Sequence, residues 1–224
     1  MHAVGWPDLE TVFRTAEGKH VNPDTYIFDM GGVVIKPRSE YPTTDYIARA
    51  FHVDPKKLHQ AMKDGFLLAE VGRANIDELL ADALAKLAPS VELAGRGYDL
   101  CAEAFRRGYT ERPSVVEFIA RLRGSGFKVF ALTNTIAPHL DVMHEHGWNR
   151  MFDAFYASCE IGLRKPDPMA YRFLLNREGV DGSRAVFVDD RPENVAGAFD
   201  AGIRSGIIFK SSSNLFSELA KSMK

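Results

Sequence analysis

Only two cysteines occur in 224 residues, Cys101 and Cys159, and they stand far apart. That spacing excludes a paired-cysteine zinc site or a redox dithiol. A reducing compartment is the simpler setting, and a cytoplasmic protein is expected. Charge of one sign is also lacking: 28 basic residues face 30 acidic ones, for a formal net charge of −2. Neither nucleic acid nor a membrane surface is implied as a partner. No apolar run is long enough to cross a bilayer, and Met1 to Pro7 is too polar and broken for a secretory leader. Internal repeats and low-complexity tracts are absent as well. What remains is an ordinary globular composition, 46% hydrophobic, in a chain long enough to bury a core without staples. A monomer or homodimer acting on a small molecule is compatible with all of this.

The chain changes texture twice. Residues 1–23 read as an N-terminal extension, in which Leu9, Val12 and Phe13 give a short helix one apolar face before Asn22-Pro23 ends it. Tyr26-Ile27-Phe28 then forms a short apolar run that stops at Asp29, followed by Met30-Gly31-Gly32. This is the pattern of a buried strand entering a glycine turn. Residues 38–111 are rich in Ala, Leu, Lys and Glu at helical spacing. Four helices are predicted there, over 43–51, 55–70, 75–87 and 91–107. Asp54-Pro55 and the Asn75/Glu78 pair mark two of their starts. After Arg112-Pro113 short β-branched or aromatic runs alternate with helical stretches. Such alternation predicts an α/β fold, a Rossmann-like parallel sheet with helices on both faces. The expected organisation is a core of 24–37 and 112–224 carrying an inserted helical bundle over 38–111.

In parallel sheets of this kind ligands bind beyond the carboxyl ends of the strands. Those positions hold a non-random set: Asp29 after the first strand, Thr133-Asn134 after the next, Lys165 in the loop after the third, Asp189-Asp190 after the fourth. Three carboxylates in one place repel one another and repel phosphate. A divalent cation and the Lys165 ammonium would bring the local charge near zero and admit a dianion. Magnesium suits such a site, as a hard ion that keeps waters and takes one or two carboxylates. A carboxylate such as Asp29 can attack phosphorus and form an acyl-phosphate that water cleaves. Thr133, Asn134 and the backbone N–H groups of Met30, Gly31 and Gly32 are candidates to bind the phosphoryl oxygens.

These residues resemble the haloacid dehalogenase superfamily, in the subgroup with a helical cap after the first motif. The likeness spans roughly residues 24–210. Asp29-Met30-Gly31-Gly32-Val33 is similar to the first motif and Leu132-Thr133-Asn134 to the second. The third corresponds to Gly162-Leu163-Arg164-Lys165-Pro166-Asp167-Pro168, and the fourth to Val188-Asp189-Asp190-Arg191-Pro192-Glu193-Asn194. The resemblance implies a magnesium-dependent phosphatase acting on a small organic phosphate. It makes Asp29 the nucleophile and a metal ligand, and gives Gly31 a carbonyl ligand role. Thr133 and Lys165 would hold phosphate, Asp189 and Asp190 would serve the metal, and Asn194 would support them.

One position departs from the family pattern. Phosphatases of this family commonly carry an acid–base aspartate two residues after the nucleophile, where this chain has Gly31. A phosphomutase is thereby disfavoured, and either an ester with a good leaving group or a substitute donor from the cap is expected. Two alternatives follow. The same aspartate could displace halide from a 2-halo acid, although Lys36 and Arg38 are poor matches for the arginine that chemistry uses. Or the chain could be an impaired phosphate-binding or regulatory member. In the insert, Gly65, Phe66 and Glu70 to Arg73 are candidates for substrate contact, while His139, His144 and His146 read as surface.

Overall fold

The computed structural model describes residues 23–90, 93 and 95–222. The expected helix near Leu9 to Phe13 lies outside the described residues. Five strands form a parallel sheet: β1 Thr25–Phe28, β4 Lys128–Thr133, β5 Ala154–Ala157, β6 Ala185–Asp189 and β7 Ser205–Ile208, in the order β5-β4-β1-β6-β7. β1 is central, with Phe28 level with Ala131 on one side and Val188 on the other. The three strand ends therefore meet at one edge.

Side chains on a strand alternate between faces, and here each face has its own core. Tyr26, Phe28, Val129, Ala131, Val186 and Val188 pack with Phe118, Leu122 and Leu215 from the helices Pro113–Gly124 and Ser212–Ser222. Ile27, Phe130, Leu132 and Phe187 pack with Tyr171, Leu174 and Ala198 from the helices Pro168–Glu178 and Pro192–Asp200. Near-continuous apolar strands are what a sheet covered on both sides requires.

Four helices, Pro42–Ala50, Pro55–Ala69, Ile76–Leu87 and Gly97–Gly108, lie between β1 and β4. They enclose a third core of Ile47, Leu58, Met62, Leu80, Leu84 and Cys101. Local chemistry sets their starts: Asp54 Oδ1 accepts from the Lys57 amide at 3.0 Å, and Asn75 Oδ1 from the Asp77 amide at 2.8 Å. The fourth helix begins at Gly97 rather than at 91. Gly95 adopts φ +71, a left-handed conformation that an α-helix cannot continue through. The links expected near 36–42 and 109–113 contain an antiparallel pair absent from the sequence reading, β2 Ile35–Pro37 with β3 Tyr109–Glu111.

The helix Gly97–Gly108 rests on the helix Ala137–Glu145 of the core. Arg106 pairs with Glu145 at 2.7 Å, Tyr98 donates to Asp141 at 2.5 Å, and Phe105 stacks on His139 at 4.4 Å between ring centroids. His139 is thus not a surface histidine. Its ring also meets the Thr43 hydroxyl at 3.1 Å, and burial pushes its pKa down to about 3. No helix among the described residues is long and apolar enough to cross a membrane. Cys101 and Cys159 are both free thiols.

Candidate active site

Asp29 leaves β1 with its amide donating to the Val188 carbonyl at 2.9 Å. The chain then turns tightly, the amides of Val34 and Ile35 both donating to the Met30 carbonyl at 2.9 Å. Gly32 has φ +82, and a Cβ there would lie 2.0 Å from Asp190 Oδ2. A side chain at 32 would therefore push Asp190 out of the site. Gly31 is different, because a Cβ would meet nothing within 4 Å. Its lack of a side chain is not forced by space. The Gly32 amide, a candidate phosphate donor, is bonded to the Ile35 carbonyl at 2.8 Å.

Lys165 is 1% exposed and stands between two carboxylates. Its Nζ donates to Asp29 Oδ1 and to Asp189 Oδ2, each at 2.7 Å. Asn134 fixes the lysine main chain by two bonds, Nδ2 to the Lys165 carbonyl at 2.8 Å and Oδ1 from the Lys165 amide at 2.9 Å. Both ends of the Asn134 amide are thus engaged with protein. Thr133 is buried at the end of β4, level with Ala157.

Asp189 is fully buried, and each of its oxygens accepts two hydrogen bonds. Oδ1 receives the Arg191 amide at 2.9 Å and Asn194 Nδ2 at 3.0 Å, while Oδ2 receives Lys165 and Asn194. Asn194 is held in turn by Tyr171, whose hydroxyl donates to the Asn194 carbonyl at 2.6 Å. Tyr171 gave no signal in the sequence, since it reads as one apolar position of a helix. Asp190 is exposed, and no ion pair to its side chain is seen among the described residues.

Ligand atoms of Asp29, Asp189 and Asp190 all lie within 4.8 Å of one another. Three carboxylates against one ammonium leave an excess of negative charge. Burial pushes Asp29 up, Lys165 opposes this, and Asp189 and Asp190 add to it, for a value of about 7. Asp190 is raised by burial and by Asp189. Burial alone would lower Lys165, but the charges of Asp29 and Asp189 outweigh it and hold the ammonium protonated. This donor set fits a divalent cation: hard oxygens, uncompensated charge, and an Asp190 carboxylate with no ion-pair partner among the described residues. Among the described residues the three carboxylates are the one such cluster.

An open cleft of about 320 Å³ covers the cluster, lined also by Pro37, Glu40, Glu70 and Tyr109. Glu70 ends the helix Pro55–Ala69 and pairs with Arg164 at 2.8 Å, next to Lys165. Gly72, two residues on, lies so close to the core that a Cβ would sit 2.7 Å from the Cys159 carbonyl. Of the insert residues singled out in the sequence, Phe66 and Glu70 border clefts, whereas Gly65 faces Leu79 inside the insert.

A family model described as haloacid dehalogenase-like hydrolase matches residues 23–202. The chain belongs to the haloacid dehalogenase-like hydrolase family. Flavin mononucleotide hydrolase 1 of Arabidopsis thaliana is 28% identical over 173 residues, 76% of this chain and 68% of the relative. A phosphoserine phosphatase of Thermus thermophilus is 36% identical over 112 residues, 46% of this chain and 44% of that enzyme. The chain thus spans about two thirds of the first of these curated relatives and under half of the second. A solved haloacid dehalogenase family enzyme of Bacteroides thetaiotaomicron, in complex with magnesium and inorganic phosphate, superposes with a TM-score of 0.68. It is 20% identical, with 84% of this chain and 95% of that chain covered.

Proposed function

We propose that this family member is a magnesium-dependent phosphatase that cleaves a small organic phosphate through an aspartyl-phosphate on Asp29. The observation that carries this reading is the buried Lys165 ammonium bridging Asp29 and Asp189 beside a third carboxylate, at the open edge of the sheet. Residues 24–37 and 112–224 act as the catalytic core, and residues 38–111 as a cap over it. Magnesium would be held by Asp29, Asp190 and the Gly31 carbonyl, with Asp189 beside them, and would supply positive charge against the phosphoryl oxygens.

The protein groups divide the remaining work. Lys165 offsets charge on the transferring group and orients Asp29 through Oδ1. Asp29 attacks phosphorus with its other oxygen. Thr133 and the amides of Met30 and Gly31 bind the phosphoryl oxygens. Asn134 positions Lys165 through two main-chain bonds, and Asn194 orients Asp189. A structural neighbour that carries magnesium and phosphate and relatives named as phosphatases support the reading. Dehalogenation is disfavoured because the negative excess around Asp29 would repel both a carboxylate substrate and the departing halide.

The test is a screen of phosphate monoesters with magnesium and with EDTA, beside Asp29→Asn. Phosphate release that needs the metal and is lost in the variant is expected. Release that survives both would refute the reading, and tight phosphate binding without turnover would establish an impaired binding protein instead.

A further inference from the structure

Hydrolysis of a phosphate ester needs a proton for the leaving oxygen, and Gly31 has no side chain to give one. Two clefts adjoin at this edge, and the first is lined by Asp29. The second, of about 280 Å³, is lined by Thr43, His59, Lys63, Phe66, Ile136 and His139, and Lys63 is exposed and borders only this cleft, away from Asp29. Its walls are largely apolar, and the buried His139 is neutral. Glu70, Tyr109 and Asn134 border both clefts. An ester with phosphorus at Asp29 and its organic group in the second cleft carries its bridging oxygen past these three side chains.

Two of the three are already engaged. Asn134 uses both ends of its amide on Lys165. Glu70 accepts from Arg164 at 2.8 Å. The other donors of the first cleft are also committed: Lys165 to two carboxylates, Arg191 to Glu193, Asn194 to Asp189. Glu40 is exposed and borders only the first cleft. The Tyr109 hydroxyl has no hydrogen-bond partner among the described residues. Its backbone is fixed in β3 opposite Pro37, and its ring packs on Phe105 at 4.3 Å. Burial and the nearby charge of Asp29 push its pKa up to about 12, so the hydroxyl keeps its proton at neutral pH.

We infer that Tyr109 is the catalytic residue that protonates the leaving oxygen, in esters of compact, largely apolar alcohols that fill the second cleft. This rests on the phosphatase reading above. In the first step the bond from Asp29 to phosphorus forms as the bond from phosphorus to the leaving oxygen breaks. That oxygen keeps the electron pair and takes the phenolic proton, so the alcohol departs and leaves a tyrosinate. In the second step water attacks phosphorus and its proton returns to Tyr109. The electron pair of the acyl-phosphate bond returns to Asp29, and inorganic phosphate is released.

The test measures kcat/KM on benzyl, phenyl and 4-nitrophenyl phosphate for the wild type, Tyr109→Phe, and Tyr109→Phe with Gly31→Asp. A positioned acid contributes about 10²–10⁴-fold. Tyr109→Phe should lose that factor on benzyl phosphate and about tenfold or less on the 4-nitrophenyl ester, whose leaving group needs little help. The added Gly31→Asp, for which there is room, should return at least about tenfold on benzyl phosphate. An equal loss on all three esters, or no loss on the benzyl ester, overturns the assignment. Should Tyr109→Phe fail to melt cooperatively, the wild type decides alone: a shallow dependence on the leaving group is expected, and a steep one overturns the assignment. Absence of metal-dependent release from every ester sinks the phosphatase reading and the assignment together, whereas the failures specific to Tyr109 leave that reading standing.

Discussion

The sheet edge and the helical insert border the same cleft, yet they are built differently there. At the sheet edge Asp29, Lys165, Asp189 and Asn194 are almost wholly buried and bonded to one another. On the insert side Leu67 is 41% exposed, Lys63 and Glu40 face water, and Glu70 makes one partly exposed ion pair. The first arrangement holds charges in fixed places, as catalysis requires. The second leaves side chains able to change without unfolding anything, which is what selectivity between leaving groups requires. If the contrast is real, substitutions at the edge should damage turnover and folding together, and substitutions on the insert should separate them.

The largest effect is expected at Asp29. Asp29→Asn should lower phosphate release by at least about 10⁴-fold, as removal of a nucleophile does, read in a steady-state assay. Lys165→Met should follow. It leaves Asp29 and Asp189 buried without their cation, at a cost of about 3–5 kcal/mol by chemical denaturation, and turnover should fall by about 10²–10³-fold. A Lys165→Met protein as stable as the wild type would end the claim that the edge is one bonded unit. Leu80→Ala tests the insert. Leu80 is fully buried in the insert's own core, so a loss of about 2–5 kcal/mol is expected. Hydrogen exchange should quicken in the four insert helices while the amides of β1, β4 and β6 stay protected. Equal loosening of both regions would show that they share one cooperative unit.

Why one region was readable from sequence and the other was not follows from the same contrast. A strand end is a position along the chain, so Asp29, Thr133, Asp189 and Asp190 could be picked out by counting from each apolar run, and Lys165 by its Lys-Pro-Asp-Pro setting in the loop after the third strand. The roles of Asn134 and Tyr171 could not. Asn134 bonds to a main chain 31 residues away, and Tyr171 reaches the Asn194 carbonyl. Neither contact leaves a local pattern. Glu70 was a candidate as the end of an insert helix, but Tyr109 reaches the cleft from the β2–β3 pair, which helical periodicity does not specify. His139 read as a surface residue because its partners, Thr43 and Phe105, belong to the insert. The fourth insert helix starts later than its spacing predicts, because the left-handed backbone of Gly95 decides the start.

His139 lies where the two regions meet and should make that junction acid-sensitive. Unfolded, its imidazole titrates near 6.5, and folded near 3. Between these values the unfolded chain binds the extra proton. Stability from this group is therefore complete above pH 6.5 and falls as pH drops towards 3, by up to about 1.4 kcal/mol per unit. The ring has an edge on the second cleft, so that slope is an upper limit. His139→Gln should flatten the decline in melting temperature between pH 6.5 and 4.5, and an unchanged decline would mean that the ring is hydrated when folded.

The smallest effect is expected at Glu70, where the contrast is easiest to break. Its ion pair with Arg164 joins insert to core, but both side chains are about a quarter exposed. Water and salt screen such pairs, and the net contribution is about 0.5 kcal/mol or less. Glu70→Gln should thus lower the melting temperature by only about 1–3 °C and leave the Lys165 network intact. Glu70 borders both clefts, so KM for esters that reach the second cleft should change severalfold while kcat changes less. If Glu70→Gln instead destabilised the protein as much as Lys165→Met, the insert would be fixed as rigidly as the sheet edge. Selectivity would then have to reside in the shape of the closed clefts rather than in adjustable side chains.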